Sequence, residues 1–136
     1  MTDKSEIGTY WWNEFQKAFN SAYEDSFETQ RKLEYESLKK TIEYFNSTAN
    51  AKELSDLMFA HWIKPPIFEE SKQFFEMCPV PIYVVSNIDR DDVLKAIEYH
   101  GLKPNGIFTS EDAKSYKPRK ELFQFALNST CLLYTS

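Results

Sequence analysis

The sequence predicts an α/β protein, part of a doubly wound parallel core preceded by an all-α cap. Three observations predict it. Helical periods fill the first half of the 136 residues, and short β-forming runs alternate with helix-forming ones in the second. Only 3 glycines occur in the chain, too few for a β-rich or loop-rich fold. A hydrophobic fraction of 42% with 16% aromatic residues supplies a packed core.

The elements follow in order. Trp11/Trp12, Phe15, Phe19 and Tyr23 fall at three-to-four spacing, as do Tyr35, Leu38, Ile42 and Phe45. A third set, Leu54, Leu57, Met58, His61 and Trp62, begins after Asn50, a good N-cap. Pro65-Pro66 ends it, because the residue before a proline avoids the α region. Ile67, Ser71, Phe74, Phe75 and Cys78 form a fourth set, punctuated by Pro79. The run Ile82 to Val85 is rich in β-formers and too short for a helix. Asp91-Asp92 put carboxylates at the start of the next helix, where its dipole favours them. Val93, Leu94, Ile97 and His100 supply the apolar face of that helix, and Gly101 stops it. Asn105-Gly106 turns the chain into the strand Ile107-Phe108-Thr109. Pro118 suits the first position of a last helix carrying Leu122, Phe123, Phe125 and Ala126. Strand, helix, strand in this order implies a parallel βαβ unit. The expected division is a helical cap region over 1–78, a partial α/β core over 79–130 and a non-native tail over 131–136.

Bulk properties narrow the partners. A net charge of −5 with a pI near 5.1 argues against a nucleic-acid surface, which needs a basic patch. No window approaches ~18 apolar residues and no leader-like apolar run opens the chain, so neither a membrane partner nor secretion is indicated. Cys78 and Cys131 lie far apart without metal-ligand spacing, which suits a reducing cytoplasm. The pattern specifies no oligomeric state.

The chemistry converges on Ser86, Asn87 and Lys117. Ser86 ends the first strand and leads into a helix N-terminus, where free N–H groups and the dipole favour an anion. Asn87 adds an amide and its own N–H, and Lys117 brings a cation from a later loop. Ligands of open α/β sheets bind beyond the carboxyl ends of the strands, so these groups should share one crevice. A small anionic substrate is the expected ligand. The plainer reading makes Ser86 a helix cap, Lys117 a solvated charge and Asp112 a turn residue.

The segment Val84-Val85-Ser86-Asn87, the helix ending His100-Gly101-Leu102, then Ile107-Phe108-Thr109-Ser110-Glu111-Asp112 and Tyr116-Lys117-Pro118 with Leu122-Phe123, resembles the haloacid dehalogenase-like hydrolases. The match is to their helical-cap branch, and the core resemblance covers about residues 80 to 127. It implies that Ser86 is the second-motif hydroxyl that hydrogen-bonds a transferred phosphoryl group. It implies for Lys117 the third-motif role of catalytic cation, steadying charge on nucleophile and substrate. Chemistry in that family is covalent: an aspartate attacks phosphorus, or carbon in the dehalogenases, and a second acid handles the proton.

Those aspartates belong to an Asp-x-Asp motif closing a first core strand, and this chain has no such strand. Asp3-Lys4-Ser5 lacks the apolar run and the second carboxylate, so it is not assigned. The acidic motif that would hold Mg²⁺ is also missing, which leaves Mg²⁺ a cofactor of an intact parent and no metal ligand here. The expectation is a fragment, inactive as it stands, of a phosphatase of small phosphorylated metabolites working through an aspartyl-phosphate. The alternatives are a 2-haloacid dehalogenase-type hydrolase, or a non-catalytic α/β interaction module. Other residues draw structural readings: His61 and His100 as packed or capping histidines, Asp89, Asp91 and Asp92 as helix-capping carboxylates, and the Trp11–Phe19 aromatic stripe as core. The resemblance also offers Arg31 as a cap residue reaching a substrate carboxylate, though no motif supports that choice.

Overall fold

The computed structural model describes residues 3–135, with side chains over residues 3–130. Four helices come first: α1 (Lys4–Ser21), α2 (Gln30–Tyr44), α3 (Ala51–Ile63) and α4 (Glu69–Met77), with a 3-10 turn at Glu24–Ser26. Then β1 (Tyr83–Ser86), α5 (Arg90–His100), β2 (Gly106–Thr109), α6 (Ser110–Ala113) and α7 (Lys120–Thr135) alternate. β1 and β2 pair in parallel, with Tyr83 opposite Gly106 and Ser86 opposite Thr109. The expected helical half and βαβ unit are both present. The tail expected at 131–136 lies outside the residues whose side chains are described.

Local chemistry sets the boundaries. Asp3 caps α1 by accepting from Ser5 N at 3.1 Å, a structural task for the carboxylate left unassigned above. Asn50 caps α3 through Glu53 N at 3.1 Å, and Gly101 ends α5 with φ +67°, where a side chain would be strained. Pro118 does not open α7. It sits in the turn after Lys117, across a cis peptide bond, and the helix starts at Lys120.

The core is aromatic and joins the two halves. Phe15, Ala22, Leu33 and Tyr116 form one buried cluster, with Ala18, Phe19 and Phe27 packed against it. Trp11, Phe15, Phe19 and Tyr116 follow one another at ring separations of 6.0, 5.7 and 4.5 Å. Trp11, Phe15 and Phe19 of the α1 stripe thus pack inward as their spacing predicted, whereas Trp12 and Tyr23 from the same set are exposed.

The next two helices bury other faces than their apolar periods suggested. α2 packs between α1 and α3, and buries Leu33, Glu34, Ser37 and Thr41, while Tyr35 stays at the surface. α3 buries Ser55 and Phe59, leaving Leu57 68% exposed. Small hydroxyl residues let neighbouring helix backbones approach, and Ser37 and Thr41 satisfy their own protons on Glu34 O and Ser37 O at 2.9 and 2.8 Å. His61 is exposed rather than packed, in the last turn of α3. His100 stacks edge-on against Tyr99 with its Nε2 buried and unpartnered.

Candidate functional site

Ser86 and Thr109 close the two parallel strands side by side, so both connecting loops leave from one end of the sheet. Ser86 Oγ accepts from Ile88 N at 3.1 Å, which folds the chain back on itself and leaves the hydroxyl proton for a ligand. Thr109 and Ser110 are fully buried. Asp112 accepts from Thr109 N at 2.8 Å to complete a capping box for α6, and it pairs with Arg90. Burial works against the Asp112 charge, yet the bonds from Arg90 and Thr109 hold its carboxyl below the ordinary carboxylate value.

Lys117 arrives at the same strand end. Its Nζ donates to Val85 O at 2.9 Å, one residue before Ser86, and two of its ammonium protons remain for other acceptors. No carboxylate among the described residues lies within ion-pair distance of that ammonium. The structure thus brings Ser86 and Lys117 together.

Asn87 stands between them with a different employment for its side chain. Its Oδ1 accepts from Lys117 N at 2.7 Å and its Nδ2 donates to Lys117 O at 3.2 Å. Both amide groups are spent on the Lys117 backbone, while Ser110 Oγ donates to Asn87 O at 3.0 Å. The side-chain amide clamps the Lys117 loop to β1. What Asn87 keeps for a ligand is its backbone N–H.

Neither nearby helix N-terminus is the anion cradle that the sequence suggested. α5 begins at Arg90, beyond Ser86-Asn87-Ile88, and Arg90 N donates to Glu111 Oε1 at 2.8 Å. Nor does the Asp89 side chain cap α5. It accepts from Gln30 N and Arg31 N of α2 at 2.7 and 2.9 Å. Asp92 takes the Arg31 guanidinium in a two-bond pair at 2.8 and 2.6 Å, so Arg31 is engaged by the core rather than free for a substrate carboxylate. A helix end that already holds a carboxylate has little attraction left for a second anion.

Tyr116, immediately before Lys117, is buried where cap and core meet. Its hydroxyl donates to Glu28 O at 2.6 Å, and burial together with the Asp89 and Glu111 charges pushes its pKa up, so it remains a neutral phenol. Arg119 Nη2 adds a bond to Asn20 O at 3.0 Å, and Glu24 N one to Lys114 O at 2.9 Å. None of these tethers was visible as a motif, since each joins residues about 90 positions apart.

The described residues do not fit Mg²⁺: no group of three His, Cys, Asp or Glu side chains converges, and the carboxylates around the site are engaged by protein donors. No described helix is long and apolar enough to cross a membrane.

No protein-family model matches the sequence, and no curated protein matches it. Solved structures do. An L-2-haloacid dehalogenase superposes with a TM-score of 0.75 at 13% identity, over 96% of this chain and 57% of its own length. A defluorinating L-2-haloacid dehalogenase gives 0.73 at 18% identity, over 96% of this chain and 56% of that one. The chain thus spans little more than half the length of these neighbours. Helical half, parallel βαβ unit and loops leaving one strand end together give this chain the fold of the corresponding part of these L-2-haloacid dehalogenase structures.

Proposed function

We propose that this chain carries the cap and the anion-gripping loops of a haloacid dehalogenase-like hydrolase. Its substrate is a small anion, and the reaction favoured by the structural neighbours is displacement at carbon in a 2-haloacid. The observation that carries the reading is the Lys117 ammonium, free of carboxylates and anchored on Val85 O beside the Ser86 hydroxyl. In this role Lys117 and Ser86 hold an anionic oxygen, and Asn87 fixes the loop that delivers the ammonium. No described residue is assigned the attack itself, since the carboxylates nearby already hold protein donors.

A phosphatase of small phosphorylated metabolites is the second reading. Its support is the commitment of Arg31 to Asp92, which withdraws a cap guanidinium that a 2-haloacid carboxylate could use. Titration with 2-chloropropionate and, separately, with phosphate separates the two, followed at the backbone amides of Asn87, Ser110 and Lys117. Saturable shifts with 2-chloropropionate alone support displacement at carbon, and shifts with phosphate alone support the phosphatase. Silence of all three amides toward both anions removes the site.

A further inference from the structure

The first turn of α2 is held from the other half of the molecule. Asp89 is 5% exposed, and its two carboxylate oxygens take the Gln30 and Arg31 N–H groups at 2.7 and 2.9 Å. One turn further along α5, Asp92 grips the Arg31 guanidinium, which also lies over the Phe59 ring at 4.3 Å. Two core carboxylates are thus given over to one cap helix.

Local helix chemistry does not require this. α2 has its own N-cap in Thr29, which accepts from Lys32 N at 3.3 Å. Burial makes the Asp89 charge unfavourable, and the neighbouring Glu111 and Asp92 charges add to that, raising its carboxyl pKa although two backbone bonds oppose the rise. A buried carboxylate kept at such a cost fixes geometry more than it adds stability.

The geometry it fixes is close to the anion site. Asp89 is three residues beyond Ser86, at most about 10 Å of extended chain. We propose that Asp89 is a positioning residue that docks the N-terminus of α2 over the Ser86–Lys117 site, with Arg31–Asp92 as a second point of attachment. The inference rests on that site being the substrate site. It also bears on specificity. With the Gln30 and Arg31 N–H groups and the Arg31 guanidinium already held by carboxylates, Lys117 is left to receive a substrate with one acidic group, and a second acidic group finds these α2 donors taken.

Hydrogen exchange and anion titration on the same protein test this. The Gln30 and Arg31 amides lie in the first helical turn, without intrahelical acceptors, so their protection depends on Asp89. Asp89→Asn should speed their exchange at least tenfold while Ser37 and Thr41, deeper in α2, keep theirs. It should also weaken 2-chloropropionate binding, or phosphate binding if phosphate is the anion taken, at least fivefold, with Asp89→Glu recovering part of the loss. Unchanged exchange at Gln30 and Arg31 overturns the docking. Faster exchange with unchanged anion affinity overturns the positioning role and leaves a purely structural cap. A wild-type chain that binds neither anion defeats the substrate-site reading before any variant is made, and the positioning role with it; the exchange arm still decides the docking. If Asp89→Asn does not fold, Asp92→Asn, which frees Arg31 but spares the two N–H bonds, is judged by anion affinity: no weakening overturns the second attachment point.

Discussion

Replacing Glu34 by glutamine should remove a pH-dependent weakness from the cap. Glu34 is 2% exposed on α2, and its Oε2 has no partner. The hydroxyls that follow on the same face cannot help, because Ser37 donates to Glu34 O and Thr41 to Ser37 O. Burial alone therefore raises the carboxyl from its ordinary 4.5 to about 7. The folded chain then keeps a proton that the unfolded chain releases between those two values. Stability from this group is present below pH 4.5, falls as pH rises, and is gone above about 7. At about 1.4 kcal/mol per pH unit, the window amounts to about 3 kcal/mol. Glu34→Gln carries no titrating proton. Its stability advantage over wild type should grow by about 3 kcal/mol between pH 4.5 and pH 8 in paired urea unfolding. Taking the difference cancels the contributions of Asp89 and Asp112, which titrate in both proteins. A difference that stays level across that range, within about 0.5 kcal/mol, would show that Glu34 is ionised and solvated in the folded state and refute the argument.

Three further outcomes follow from the geometry. Lys117→Ala should abolish the anion-induced amide shifts with the far-UV circular dichroism unchanged, and in any active form should lower turnover by orders of magnitude; near-normal affinity and turnover would remove the ammonium from the site. Asn87→Ala strands the Lys117 N–H and C=O and should cost about 1–3 kcal/mol in urea unfolding, together with a weakened anion response at Lys117. Gly106→Ala would set its Cβ 2.8 Å from the Tyr83 ring, across the β1–β2 pair, and should lower stability by about 1–3 kcal/mol; a neutral result would mean that the ring swings aside freely.

The loops that carry Ser86 and Lys117 were legible because they are local. The β-branched run ending at Ser86 and the loop reaching Lys117 each occupy a few adjacent residues, and the parallel pairing that joins them follows from strand–helix–strand order. What stayed hidden depended on contacts between distant segments. The periods of α2 and α3 marked apolar faces, yet α2 lies between two helices and buries Glu34, Ser37 and Thr41 instead. Asp89 reads as a cap for the helix it precedes, and only the folded chain shows its carboxylate on Gln30 and Arg31. Pro118 reads as the first residue of a helix, and the turn that delivers Lys117 moves that start to Lys120. In each case the sequence offers a local partner, and tertiary packing supplies another.

Lys117 is bonded through its own backbone to Tyr116, and Tyr116 lies under the file of rings that begins at Trp11. Trimming or enlarging a ring in α1 would therefore shift the seat of the ammonium without altering Ser86, Asn87 or Lys117 themselves. Side-chain volume at the far end of α1 thereby bears on where the Lys117 ammonium sits.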